Sequence, residues 1–190
     1  MTIDEQRDAD PTPQQLTAWL VAQQIDTTAW GQANAKSVDD LWQELCHGEC
    51  SLQENPPLRL VRVVEVIVTQ GEQILIEAEQ LFADGRIRAR NRPPSEKMKP
   101  TEDPLTAAQR CLQEELAVAP VAICFPPQEI PARIVRDESG SYPNLISEYT
   151  FYTVHAQIAG LPATTFTTPN AAYADGDPIV AHRWMWVARQ

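Results

Sequence analysis

The spacing of apolar residues along this chain changes period several times, and each change predicts a different element. After Pro11 and Pro13, Leu16, Trp19 and Leu20 recur at helical spacing and predict a short amphipathic helix to about Gln24. A second helix is better specified. Ser37 stands as N-cap with Asp40 three residues on, Val38, Leu41, Trp42 and Leu45 follow the helical repeat, and Gly48 ends it. Pro56-Pro57 reads as a linker. From Leu58 the period becomes two. Leu58 to Thr69 is a strand whose apolar density predicts burial on both faces, Ile74 to Leu81 is a second, and Ala83-Asp84-Gly85 turns into a third over Arg86 to Arg92. Asp103-Pro104 then opens a helix with Leu105, Ala108, Leu112 and Leu116 facing inward and Ala107, Cys111, Glu114 and Glu115 along an exposed arc. Ile130 to Arg136, Leu145 to Ile158 and Ile179 to Val187 are further strands, with turns at Asp137–Ser141 and Asp175–Pro178. Strands around one central helix predict an α+β fold or a mixed α/β/α sandwich. The organisation expected is a disordered tail over 1–11, a helical extension over 12–57 and a main domain over 58–190.

Composition narrows the function. Hydrophobic residues make up 43% and charged residues 22%, as in ordinary globular proteins. No apolar run approaches the ~20 residues that span a bilayer, and the acidic start MTIDEQRDAD resembles neither a secretory signal nor a transit peptide. A cytoplasmic protein is expected. The net charge of −11 disfavours binding to nucleic acid by bulk charge. Yet Arg86, Arg88, Arg90, Arg92, Lys97 and Lys99 fall in one short stretch opposed only by Glu96, which suits a small phosphorylated ligand better than a polymer. Cys46, Cys50, Cys111 and Cys124 are expected as free thiols. Cys46-His47 with Cys50 has no second ligand pair at zinc spacing and reads as a helix end.

The chemistry lies in Pro94 to Val118, PSEKMKPTEDPLTAAQRCLQEELAV. Glu102 precedes Arg110 by seven intervening residues, and Leu112, Glu114, Glu115 and Val118 follow in fixed register. This stretch resembles, without gaps, the Nudix box Gly-x5-Glu-x7-Arg-Glu-U-x-Glu-Glu-x-Gly-U, where U is a bulky aliphatic. Lys97, Pro100, Pro104-Leu105 and Ala107-Ala108 also match residues common in that family. The resemblance implies the Nudix-type sandwich over 58–190, Glu102, Arg110, Glu114 and Glu115 as catalytic residues, and Mg²⁺ or Mn²⁺ held by Glu114 and Glu115. It also implies that Arg110 buttresses the loop by pairing with acidic residues such as Glu102. The stretches KSVDDLW and SEKMKP further resemble an uncharacterised Nudix-like group of photosynthetic organisms.

The departures bear on activity. Glu96 replaces the motif glycine, Ser95 and Thr101 stand where further loop glycines are common, and Ala117 replaces the glycine after the paired glutamates. Cys111 occupies the position of the Arg-Glu glutamate, whose loss costs on the order of 10²–10⁴ in rate if it acts as a base. A thiol beside two carboxylates should have a raised pKa, so Cys111 is expected as a half-buried apolar residue rather than a nucleophile. Glu148, Asp175 and Asp177 are candidate substitute acids.

Arg86, Arg88, Arg90 and Arg92, at every second strand position, would project four guanidinium groups from one face. That pattern serves phosphate binding or the solubility of an edge strand equally well. His155 and His182 are expected to be structural. Trp184 and Trp186 anchor a last strand or, less simply, stack on a base. Trp19, Trp30 and Trp42 are available to dock a protein partner or to pack on the chain's own sheet. Two functions compete: a phosphorylated-ligand binding or regulatory module with little hydrolysis, and a metal-dependent hydrolase of a nucleoside diphosphate linked to another moiety.

Overall fold

Local capping chemistry sets the first two helices. In the computed structural model, which describes residues 12–33, 35–171, 173 and 178–189, α1 (Pro13–Ala22) starts at Thr12 through a reciprocal capping box with Gln15. Helix α2 (Val38–Cys46) starts through the same device between Ser37 and Asp40. The chain leaves α2 through Gly48 at φ +68, where an added Cβ would collide with the Pro100 ring, so both conformation and space require glycine. The expected tail 1–11 and the candidate acids Asp175 and Asp177 lie outside the described residues.

The fold is α+β, with three α-helices among the described residues and a mixed sheet. After α2 come β1 (Ser51–Gln53), β2 (Leu58–Gln70), β3 (Gln73–Phe82), β4 (Ile87–Arg92) and β5 (Ser95–Lys97), then α3 (Pro104–Leu116). The remaining strands are β6 (Ile123–Cys124), β7 (Ala132–Glu138), β8 (Ile146–Ile158), β9 (Phe166–Pro169) and β10 (Ile179–Ala188). Strand order is β6-β8-β2-β3-β10-β9, with β1 and β5 on β2, β4 on β3 and β7 on β8. Pro56 and Pro57 sit in the connection of an antiparallel β1–β2 pair, where Ser51 faces Leu60 and Gln53 faces Leu58. They are a hairpin turn inside the sheet rather than a linker.

The described residues form two compact units. The first runs up to Val63 and includes Lys97–Thr101 and Ala132–Phe151; the second holds Val64–Glu96, Glu102–Pro131 and the described residues from Tyr152 onward. In the first, Leu16, Trp19, Leu20, Trp30, Leu41, Cys50, Leu52, Val61, Tyr142 and Leu145 make one core. Trp30 lies 5.0 Å from the Tyr142 ring and its indole N–H donates to the Pro143 carbonyl at 2.9 Å. Trp19 and Trp30 are thus spent on the chain's own core, with Trp42 packed against it.

In the second unit β3 and β10 pair along nearly their whole length, and Val64, Val66 and Val68 alternate into the core. Asp103 caps α3 by accepting from the Leu105 and Thr106 backbone N–H groups at 2.9 and 3.1 Å. The helix ends at Ala117 with φ 54 and ψ 32, the left-handed conformation that glycine adopts without strain. Ala117→Gly should therefore stabilise the protein by about 1 kcal/mol. A thermal melting midpoint that stays the same or falls would refute that assignment.

Candidate active site around α3

Three of the four residues expected on an exposed arc of α3 are buried, and Glu114 is half-buried. Ala107 and Cys111 are fully buried and Glu115 is 8% exposed, whereas Leu105 is exposed. Periodicity located the inward stripe of Leu112 and Leu116 but could not reveal the second covered flank. Strands β9 and β10 help account for it: the Thr168 hydroxyl donates to the Glu115 carbonyl, and the Trp184 indole donates to Thr168 Oγ1 at 2.8 Å. Cys111 is accordingly a wholly buried thiol rather than a half-buried one. Burial raises its pKa well above the ordinary value, and the Glu115 and Glu96 charges add to that, so it stays protonated.

The frame of the motif is assembled. Arg110 donates from Nε to Glu102 Oε1 at 2.8 Å and from Nη2 to Glu102 Oε2 at 3.0 Å, a bidentate pair across the loop. Its Nη1 reaches Glu114 Oε2 at 3.2 Å, one helical turn on. Burial works against the Arg110 charge, but the Glu102 hydrogen bonds and the Glu96 and Glu114 charges outweigh it and raise its pKa. Glu102, Arg110 and Glu114 are thus brought together, and Glu115 lies in the interior one residue further along α3.

Sequence reasoning missed the polar group beside Glu115. Glu77, on β3 and buried, joins His182 Nδ1 at 2.7 Å through Oε1 and accepts from Arg90 Nε at 3.1 Å through Oε2. Burial would raise its pKa, yet the His182 hydrogen bond and the Arg90 charge bring it below the ordinary carboxylate value. Glu115 behaves oppositely. Burial raises its pKa well above the usual range, the Glu77 and Glu96 charges raise it further, and Arg90 opposes them only in part. Of two neighbouring buried carboxyls, the one holding the guanidinium is drawn toward the ionised form and the other toward the protonated one. Glu115 Oε2 is buried with no hydrogen-bond partner, as is His182 Nε2. A signal existed for Glu77: the alternation that buries Leu75 puts Glu77 on the same face.

The arginines do not form a single-faced strip. Arg86 precedes β4, in the turn, and pairs with Asp84 at 2.6 Å. Arg88 donates to Gln80 Oε1 at 2.9 Å and lies over the Phe82 ring. Asn91, at φ 52, carries an extra residue, because Ala89 faces Glu79 while Arg92 faces Glu77. That bulge resets the alternation and lets Arg90 turn inward to Glu77. Arg92 remains exposed at the strand end. Glu148, a candidate substitute acid, belongs to the first unit and accepts from Arg136 at 2.6 Å. Cys46, Cys50, Cys111 and Cys124 are all free thiols. Among the described residues no three His, Cys, Asp or Glu side chains gather as a ready cation cage, and no helix is long and apolar enough to cross a membrane.

No protein-family model and no curated protein matches the chain. Solved structures do resemble it. A solution structure of the E. coli ORF135 protein shares 17% identity over 68% of this chain and 74% of that one, with a TM-score of 0.39. A NUDIX hydrolase from Nitrosomonas europaea shares 18% over 66% of this chain and 71% of its own, also at 0.39. A C. elegans Ap4A hydrolase shares 15% over 68% and 80%, at 0.37. At these TM-scores the likenesses carry no argument about the site, which rests on the chain's own residues.

Proposed function

We propose that this chain is a Nudix-like module that binds a small phosphorylated ligand and has lost efficient hydrolysis. One observation carries the reading. Within a box frame that still holds Glu102, Arg110 and Glu114 together, the position of the Arg-Glu carboxylate is a fully buried, protonated thiol. A buried thiol can neither bind a hard cation strongly nor take a proton from water near neutral pH. The four free thiols and acidic character are consistent with a cytoplasmic setting. The likeness of KSVDDLW and SEKMKP to a group from photosynthetic organisms adds no activity to this reading.

Mg²⁺ or Mn²⁺ fits the donors in part. Glu115 offers a buried oxygen without a partner, and Glu114 lies one residue away. One or two carboxylates are enough for Mg²⁺ when water and ligand phosphates complete the shell. Such an ion would neutralise phosphate charge, while Arg86, Arg88, Arg90 and Arg92 stand as candidate phosphate contacts. Of these Arg92 lies exposed at the end of β4. The same retained frame supports a second reading, a metal-dependent hydrolase of a nucleoside diphosphate-linked substrate.

Calorimetry with dinucleoside polyphosphates, nucleotide sugars and nucleoside triphosphates, each with Mn²⁺, tests the ligand class. At least one member should bind, and Arg92→Ala should weaken it on the order of tenfold, as loss of one charge-assisted phosphate contact does. Absence of binding across all three classes would overturn the phosphorylated-ligand reading.

A further inference from the structure

Strand β7 (Ala132–Glu138) is an edge strand: among the described residues it pairs only with β8. Two backbone hydrogen bonds fix the register of this antiparallel hairpin. At one end the Thr153 N–H donates to the Pro131 carbonyl at 3.3 Å, and at the other the Ser139 N–H donates to the Leu145 carbonyl at 3.1 Å. The same number of residues separates the two bonds on either strand, so no bulge interrupts the pair. Cross-strand side chains agree with that register. Arg133 lies over the Phe151 ring at 4.7 Å, and Arg136 pairs with Glu148 at 2.6 Å.

In an antiparallel ladder the N–H and C=O of one residue point the same way, and the direction alternates along the strand. Pro131 and Ser139 face β8, so the peptide groups of Arg133, Val135 and Asp137 do too. Those of Ala132, Ile134, Arg136 and Glu138 point away from it. All four are exposed residues, Ile134 at 63%. No Pro or Gly within β7 blunts this edge. We propose that the outer edge of β7 pairs with the same edge of a second copy of this chain, antiparallel about Val135, so that the two sheets join across a twofold axis.

The order of charges favours that occupant. Strand β7 runs from basic to acidic, with Arg133 and Arg136 before Asp137 and Glu138. Antiparallel pairing about Val135 sets each Arg133 opposite the partner's Asp137 and lets the two valines meet. It also matches the outward peptide groups, Ile134 with the partner's Arg136 and Ala132 with the partner's Glu138. Moving the centre to Arg136 would set that arginine against itself, and an in-register parallel pair would set like charge against like throughout. Arg136 keeps Glu148 as its own counter-charge, and Arg133 keeps its place over Phe151. The partner's Asp137 adds to those contacts and replaces none of them.

The test is sedimentation equilibrium of the full chain over a concentration series. Wild type should form a dimer reversibly, as a small interface does. Ile134→Pro removes an outward N–H without touching the ladder to β8 and should weaken the dimer by roughly tenfold or more. Arg133→Asp and Asp137→Arg should each weaken it on the order of tenfold, since each sets like charges opposite one another. An equal mixture of these two variant chains should recover the dimer, because each supplies the charge that the other has lost. A residue that matters only to its own fold gains nothing from mixing. Circular dichroism checks each fold, and the charge variants carry the test should the proline variant unfold. A wild type that stays monomeric, a dimer that persists unweakened in the folded variants, or a mixture that stays monomeric would each overturn the proposal.

Discussion

Glu44→Ala should destabilise the first unit by about 3–5 kcal/mol, the cost of stranding a buried charge. Glu44 on α2 is buried and pairs with Arg59 of β2 at 2.5 Å, with Lys36 at 2.6 Å and with Lys97 at 3.0 Å. Arg59 is itself buried and lies 5.2 Å from the Tyr142 ring centroid, so without Glu44 its charge sits in the core with little compensation. Urea unfolding followed by tryptophan fluorescence reads the effect, because Trp19 and Trp30 belong to that core. A loss below about 1 kcal/mol, typical of an exposed pair, would contradict the account.

The same pair predicts an acid transition. Burial tends to raise the Glu44 pKa, but Arg59 first, then Lys97 and Lys36, lower it from 4.5 to about 2. A depressed folded-state pKa contributes stability that is complete above the unfolded value and is lost as pH falls through the folded one. About 3 kcal/mol should therefore disappear between roughly pH 5 and pH 2. In Glu44→Gln that share of the acid sensitivity should be missing.

The second large effect concerns Cys111→Glu. It places a carboxyl at a fully buried position beside Glu115, whose own pKa burial already raises. Without divalent ions the variant should lose about 3 kcal/mol or more, from desolvation and crowding together. Mn²⁺ should restore part of that loss, since an ion bound only by the folded state stabilises it by mass action. Cys111→Ser, of nearly the same volume and without charge, should show no such Mn²⁺ dependence relative to wild type. Equal melting points for Cys111→Glu with and without Mn²⁺ would remove residue 111 from the cation's neighbourhood.

The parts of this architecture governed by neighbouring residues were legible in the sequence. Ser37 with Asp40, Asp103 before Pro104, and the long runs of β2, β8 and β10 act through local capping or alternation, and the elements stand where those signals put them. The Glu102–Arg110 pair came from the motif's likeness rather than from any local period, and its two hydrogen bonds are present. What escaped depends on distant chain. The coverage of Cys111 and Glu115 involves Thr168 and Trp184, more than fifty residues on. Glu77 is held in place by His182 on β10 and by Arg90 on β4. The arginine alternation failed at one residue, Asn91, whose left-handed backbone inserts a bulge that composition alone does not announce. Strands β1, β5, β6 and β9 have two to four residues each and few apolar positions, too short for any period to register.

The central claim is that the motif's frame survives while its catalytic carboxylate does not, and side-by-side turnover tests it most directly. Wild type, Glu115→Gln and Cys111→Glu would be assayed with Mn²⁺ against dinucleoside polyphosphates, nucleotide sugars and nucleoside triphosphates. Wild type should show no release above the Glu115→Gln background, and Cys111→Glu should gain on the order of 10²–10⁴ on at least one substrate, the usual worth of a positioned general base. Wild-type turnover that Glu115→Gln abolishes would contradict the account and make the chain a hydrolase.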